Sequence, residues 1–117
     1  MHELYEPVLP ELHIDNFYRN INTTPYAVIH FYAKWNQYDK TFGELVQGVS
    51  NQFPSIQFYS YDIDPEYGWH ICRACQIMTN PSLAYFRNGQ WIETVSKVHS
   101  EEGLRDLFSK WLHAETE

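Results

Sequence analysis

The sequence is poor in cysteine, with two among 117 residues. Small secreted domains that rely on disulfides carry more, so a disulfide-stapled scaffold is excluded. No apolar stretch approaches the ~20 residues that span a bilayer, which argues against a transmembrane helix. Residues 1–10 show neither a basic n-region nor an apolar h-region, so we expect a reducing, cytoplasmic location.

Positive charge is also scarce. Eight lysines and arginines stand against fifteen aspartates and glutamates, which gives a formal net charge of −7. The cations are scattered between Arg19 and Lys110 rather than clustered. Nucleic acids and anionic membranes attract clustered basic side chains, so we expect neither as a partner.

Apolar and aromatic residues, in contrast, are plentiful. Hydrophobic residues make up 44% of the chain and charged residues 20%, which is typical of a folded globular protein. A length of 117 residues suits one core, so we expect a single domain over residues 1–117. The aromatic share of 17% exceeds what such a core needs, so some rings should lie at the surface.

Hydrophobic periodicity predicts two long amphipathic helices. Apolar residues recur at the spacing of one helix face from Phe42 to Phe53, just before Pro54, and again from Leu104 to Leu112. Two shorter helices are expected as well. One begins after Asp15 as its N-cap, and the other covers residues 66–78.

The second short helix would turn Ile71, Cys75 and Met78 inward. Five strands complete the prediction, at residues 8–12, 28–32, 56–63, 83–86 and 91–95. The strand at 28–32 is nearly continuously apolar, as in a central strand, whereas Pro10 favours a sheet edge. Asn88-Gly89 is a strong hairpin signal. The order of elements predicts a mixed sheet covered by helices.

This order, with three motifs, resembles the thioredoxin family over about Glu11 to Leu112. The motifs are the strand Val28-Ile29-His30-Phe31-Tyr32-Ala33-Lys34-Trp35, then Asn80-Pro81-Ser82-Leu83, then Phe86-Arg87-Asn88-Gly89. The resemblance implies an α/β thioredoxin fold, with a central mixed β-sheet flanked by helices on both faces. It also implies a cis peptide bond before Pro81.

The active-site motif of the family is altered here. Thioredoxins carry Trp-Cys-Gly-Pro-Cys-Lys where this chain has Trp35, Asn36, Gln37, Tyr38, Asp39 and Lys40. Dithiol exchange needs a thiol at a helix N-terminus and a second thiol to resolve the mixed disulfide. Asn36 is no nucleophile and Asp39 resolves no disulfide, so we expect no catalytic residue of this kind.

Two hypotheses remain open for the altered motif. Asn36 is a favourable N-cap and Asp39, three residues later, suits a capping box, so the segment would simply start a helix. Alternatively, Gln37 and Tyr38 contact a partner. His30, where many family members have a buried carboxylate, is expected to be a buried structural histidine.

The resemblance further implies a peptide-binding groove. Its walls would be Trp35, Tyr38 and the backbone around Asn80, Pro81 and Ser82, with ordinary packing of the aromatic rings as the alternative. We therefore predict a protein or peptide partner of unknown identity, and no cofactor.

Cys72 and Cys75 form a C-x-x-C pattern. On a helix their β-carbons would lie ~5 to 6 Å apart, beyond the ~3.5 to 4.5 Å of a disulfide, so core thiols are the main interpretation and redox-sensitive thiols the alternative. His70 would point away from both, which argues against zinc.

The sequence thus predicts a redox-inactive thioredoxin-like protein that acts as a binding, adaptor or assembly subunit through a groove near the former active site. The alternative is an atypical thiol–disulfide oxidoreductase, or a redox-regulated protein, using Cys72 and Cys75. A third hypothesis is a fold-stabilising partner in a larger complex without groove binding.

Overall fold

Strands and helices alternate along the chain in the predicted order. The structure is a computed structural model that describes residues 6–64, 69–96 and 98–113. These residues form five strands and four helices: β1 (Glu11–Leu12), α1 (Phe17–Asn22), β2 (Tyr26–Tyr32), α2 (Gln37–Ser50), β3 (Gln57–Asp62), α3 (Trp69–Ala74), β4 (Ser82–Arg87), β5 (Gln90–Ser96) and α4 (Glu101–His113).

The five strands form one mixed sheet in the order β1-β3-β2-β4-β5. The apolar β2 lies at its centre, parallel to β3 and antiparallel to β4. The short β1 lies at an edge, as Pro10 predicts, and pairs in parallel with β3. The hairpin of β4 and β5 closes the other side. The predicted mixed sheet is therefore confirmed.

Helices cover both faces of this sheet because alternate residues of β2 point in opposite directions. Val28 joins one core with side chains of α2 and α4, while Ile29 and Phe31 join another with side chains of α1 and α3. Both faces of β2 are buried, which explains its nearly continuous apolar sequence. Within the described ranges, no helix is long and apolar enough to cross a membrane.

The start of α1 differs from the prediction. The N-cap position is occupied by Asn16 rather than Asp15, and no side chain caps the helix. The Asn16 side chain instead accepts a hydrogen bond from the N–H of His13 at 2.8 Å. The inward positions of Phe17 and Ile21 are confirmed, since both are fully buried.

The helix predicted over residues 66–78 is shorter in the structure. Residues 65–68 lie outside the described residues, and α3 ends at Ala74. Gln76 takes a φ of 55°, and the N–H of Ile77 donates to the carbonyl of Cys72 at 2.9 Å. The left-handed conformation of Gln76 and this hydrogen bond together end the helix. The predicted inward position of Met78 is wrong, because its side chain is 88% exposed.

The hairpin turn has the geometry that its sequence predicts. Asn88 and Gly89 take φ values of 53° and 83°, which suits a tight turn between twisted strands. A β-carbon on Gly89 would lie 2.6 Å from Oδ1 of Asn22. Both the backbone conformation and the close approach therefore require glycine.

We expect Gly89→Ala to lower the free energy of unfolding by about 1 to 2 kcal/mol, because alanine disfavours this φ and would crowd Asn22. Gly48→Ala is the matched control. It lies in α2, where a β-carbon meets nothing closer than 4.0 Å, so a gain of about 0.5 to 1 kcal/mol is expected. Urea denaturation measures both changes. Equal effects of the two substitutions would contradict the requirement for glycine at position 89.

Candidate functional site

A tight turn joins the end of β2 to the start of α2. The N–H of Asn36 donates to the carbonyl of Ala33 at 3.1 Å, which places Lys34 and Trp35 at the tip of the turn. Oδ1 of Asn36 accepts a hydrogen bond from the N–H of Tyr38 at 2.8 Å. Asn36 is thus the N-cap of α2, as the sequence predicts.

The expected capping-box role of Asp39 is wrong. Its carboxylate does not return to the Asn36 N–H, because that group already bonds to Ala33. One carboxylate oxygen accepts from the N–H of Ala33 at 3.0 Å, and the other lies 3.0 Å from Nε2 of His30. Asp39 is fully buried, so it joins the helix to the strand beneath.

His30 lies in the middle of β2 and is fully buried, as expected. Its ring packs against Phe42 of α2 with a centroid distance of 5.3 Å. The hydrogen-bonded partner, Asp39, was not predicted. The available signal was the arrangement of strand, turn and helix, which brings a residue of β2 under the first turn of α2. The pair therefore joins the central strand to the first turn of α2.

The loop before β4 lies beside this turn. The peptide bond between Asn80 and Pro81 is cis. Nδ2 of Asn80 donates to the carbonyl of Phe31 at 3.2 Å, which ties the loop to the end of β2. Ser82, the first residue of β4, is buried, and its hydroxyl donates to the carbonyl of Thr79.

A pocket of about 310 Å³ opens between α2 and this loop. One wall is formed by the first turns of α2, with the exposed Tyr38 and the buried Phe42, and the opposite wall includes Asn80 and Pro81. The lining is mostly apolar. Tyr38 is 78% exposed and therefore stands at the rim rather than in the core.

The structure brings together only part of the predicted groove. Tyr38 lies with Asn80 and Pro81, whereas Trp35 does not line the pocket, although its side chain is 75% exposed. Gln37 and Lys40 are exposed on the first turn of α2 without lining the pocket.

The third wall was missed by sequence reasoning. Val98 and His99, which follow β5, complete the pocket. Both β5 and β2 are antiparallel to β4. Their carboxyl ends therefore lie at the same end of the sheet, where β4 begins. The sequence predicted the hairpin of β4 and β5 but not the pairing of β4 with β2, and no local motif marks the segment.

The two cysteines are free and lie outside the pocket. Cys72 is half-buried and Cys75 almost fully buried. Burial raises the pKa of the Cys72 thiol to about 11, with a further contribution from the Asp62 carboxylate. Burial, together with Cys72, raises the pKa of Cys75 to about 12. Both groups are therefore neutral thiols near pH 7.

The predicted mid-helix position applies to Cys72 but not to Cys75, which follows the last residue of α3. The carbonyl of Cys75 accepts a hydrogen bond from the Thr94 hydroxyl of β5. In the part of the chain that the structure describes, no group of three His, Cys, Asp or Glu side chains is arranged to hold a metal ion.

Comparison with known proteins identifies the architecture. The sequence profile of the thioredoxin family matches residues 8–110. The chain belongs to the thioredoxin family. Oxidised mitochondrial thioredoxin 3 from Saccharomyces cerevisiae superposes with a TM-score of 0.75 at 19% identity, over 87% of this chain and 94% of that one. This likeness supports the predicted thioredoxin fold.

Two curated relatives have related sequences. Thioredoxin-1 of Saccharomyces cerevisiae is 31% identical over 69 residues, which is 59% of this chain and 65% of the yeast protein. The protein disulfide-isomerase of Hordeum vulgare is 27% identical over 104 residues, which is 85% of this chain and 20% of the barley protein. The match therefore spans less than two thirds of either relative.

The contribution of the buried pair is measurable by a double-mutant cycle. We expect His30→Ala and Asp39→Ala each to lower the free energy of unfolding by about 2 to 4 kcal/mol, because each leaves a buried polar partner unsatisfied. Their interaction energy should be about 1 to 3 kcal/mol in urea denaturation.

The exposed pair between Arg105 and Glu101, one helical turn apart in α4, is the control. Its side chains are 41% and 54% exposed, so the same cycle with alanine should give about 0.5 kcal/mol or less. An interaction energy between His30 and Asp39 as small as this would contradict the structural role of the pair.

The raised thiol pKa values predict slow alkylation of the folded chain. At pH 7.4 iodoacetamide should modify Cys72 before Cys75, since the thiolate is the nucleophile and Cys75 is more buried. The rate at Cys72 should rise about tenfold per pH unit between pH 7 and 9, because the thiolate fraction rises with pH below the pKa. Mass spectrometry of peptides follows both sites. Equal rates in native buffer and in denaturant would contradict the burial of the thiols.

Proposed function

We propose that this member of the thioredoxin family is a redox-inactive binding protein, of the adaptor or assembly kind, rather than a dithiol oxidoreductase. One observation carries the proposal: the first turn of α2, where dithiol exchange would take place, contains no thiol. Asn36 caps the helix there, and Asp39 is buried against His30. A family member with this segment has kept the scaffold without its nucleophile.

The remaining cysteines do not replace the missing thiols. An attacking cysteine needs an accessible thiolate, which a helix N-terminus or a nearby cation stabilises. Cys72 lies in the middle of α3 and Cys75 directly follows its last residue, and both thiols have a raised pKa. No specific observation favours the alternative of an atypical oxidoreductase.

The pocket supports a role in binding. It is concave and mostly apolar, and the ring of Tyr38 projects from its rim. Exposed aromatic residues at such a rim bury a large area at a small entropic cost when a partner binds. We propose that a single domain binds an extended segment of a protein partner here, in a cytoplasmic setting that suits two free cysteines.

Truncation of Tyr38 tests this proposal. After affinity purification and mass spectrometry have identified a partner, calorimetry measures its affinity for wild type and for Tyr38→Ala. We expect a loss of about 2 kcal/mol, roughly thirtyfold in affinity, because the aromatic anchor is removed.

Arg87→Ala is the control, since Arg87 is the last residue of β4 and lies at the end of the sheet opposite the pocket. It should bind like wild type, and circular dichroism should show that both variants are folded. Binding that survives Tyr38→Ala but not Arg87→Ala would place the interface on another face. Disulfide reduction by wild type that disappears in Cys72→Ser would overturn the redox-inactive assignment.

A further inference from the structure

A second depression adjoins the pocket on its α4 side. It has a volume of about 450 Å³ and is more open than the first. Val98 and His99 line both spaces, so they form a shared wall between them. The two spaces are therefore adjacent compartments of one groove, and both linings are mostly apolar. We call the space against α2 the apolar compartment and the space against α4 the charged compartment.

The charges of the two compartments differ. The apolar compartment has no carboxylate or ammonium group among its lining residues. The lining of the charged compartment includes Asp106 and Lys110 of α4. Nζ of Lys110 lies 3.4 Å from the carboxylate of Glu93, which offsets its charge.

Asp106 has no such partner. Its side chain is exposed, and none of the cations within the described ranges forms an ion pair with it. Asp106 is thus the charged side chain of the charged compartment that has no ion pair among the described residues, so no direct contact offsets its negative field. The whole chain adds to this field, with a net charge of −7.

We propose that the partner segment is an extended peptide with an apolar side chain in the apolar compartment and a lysine or arginine side chain over Asp106. This inference rests on the proposed binding function and specifies its ligand. In an extended peptide, residues two apart point the same way, about 6.5 to 7 Å from each other. An acidic segment would instead bring like charge to Asp106.

A display library of random dodecapeptides, selected on the folded chain, tests the ligand chemistry. We expect enriched peptides to have lysine or arginine within three residues of a large apolar residue. One enriched peptide, labelled with a fluorophore, then serves as the basic probe. The same peptide with glutamine in place of its basic residue is the neutral probe.

Charge variants at Asp106 identify the contact by fluorescence anisotropy. Asp106→Asn should weaken the basic probe about two- to fivefold at low salt, with a smaller effect at high salt, and should leave the neutral probe unchanged. Asp106→Lys should weaken the basic probe further. Asp15→Asn removes the same charge from an exposed site outside both compartments and should change neither affinity.

The outcomes separate this inference from the proposed function. Peptides that lose affinity in Tyr38→Ala but respond equally to Asp106→Asn and Asp15→Asn would retain the groove and overturn the role of Asp106. Enrichment of acidic peptides would also overturn the role of Asp106 and retain the groove. If no peptide is enriched, or if Tyr38→Ala binds every enriched peptide normally, both proposals are overturned.

Discussion

The hydrogen bond between the imidazole of His30 and the carboxylate of Asp39 joins the two elements from which the site is built. His30 belongs to the central strand and Asp39 to the first turn of α2, and both are fully buried. The second oxygen of Asp39 bonds to the Ala33 N–H, so one side chain fixes both the turn and the helix start. Phe42 packs on the ring of His30 and also lines the pocket. The position of the α2 wall, including Tyr38, therefore depends on this pair.

Sheet topology brings the other walls to the same place. The end of β2, the start of β4 and the end of β5 lie at one end of the sheet, because β4 runs antiparallel to both of its neighbours. The side chain of Asn80 donates a hydrogen bond to the carbonyl of Phe31, which holds the loop before β4 against the end of β2. A fold brings the same backbone positions together whatever residues occupy them, so activity depends on the side chains found there. In this chain they are capping, packing and polar groups, with no thiol among the pocket residues.

Most of the fold was predictable because its signals are periodic or local. The amphipathic stripes of α2 and α4 and the Asn88-Gly89 turn need no knowledge of distant residues. The end of α3 was not predictable in this way, because Gln76 takes a left-handed conformation that usually indicates glycine. The site was predictable only in part. Tyr38 and Pro81 followed from the family resemblance, whereas the bond between His30 and Asp39 and the wall formed by Val98 and His99 depend on tertiary packing.

The absence of sulfur from the pocket lining has a thermodynamic consequence. A binding equilibrium is linked to another reaction only if the ligand distinguishes the two states of that reaction. A dithiol site has a reduced and an oxidised state, and the glutathione potential of the compartment sets their ratio. The pocket residues here have no second oxidation state of this kind. Under the proposed function, binding in the groove is therefore not linked to a thiol–disulfide equilibrium of its lining residues, and the complex would persist through an oxidative shift that changes the ligands of a dithiol protein.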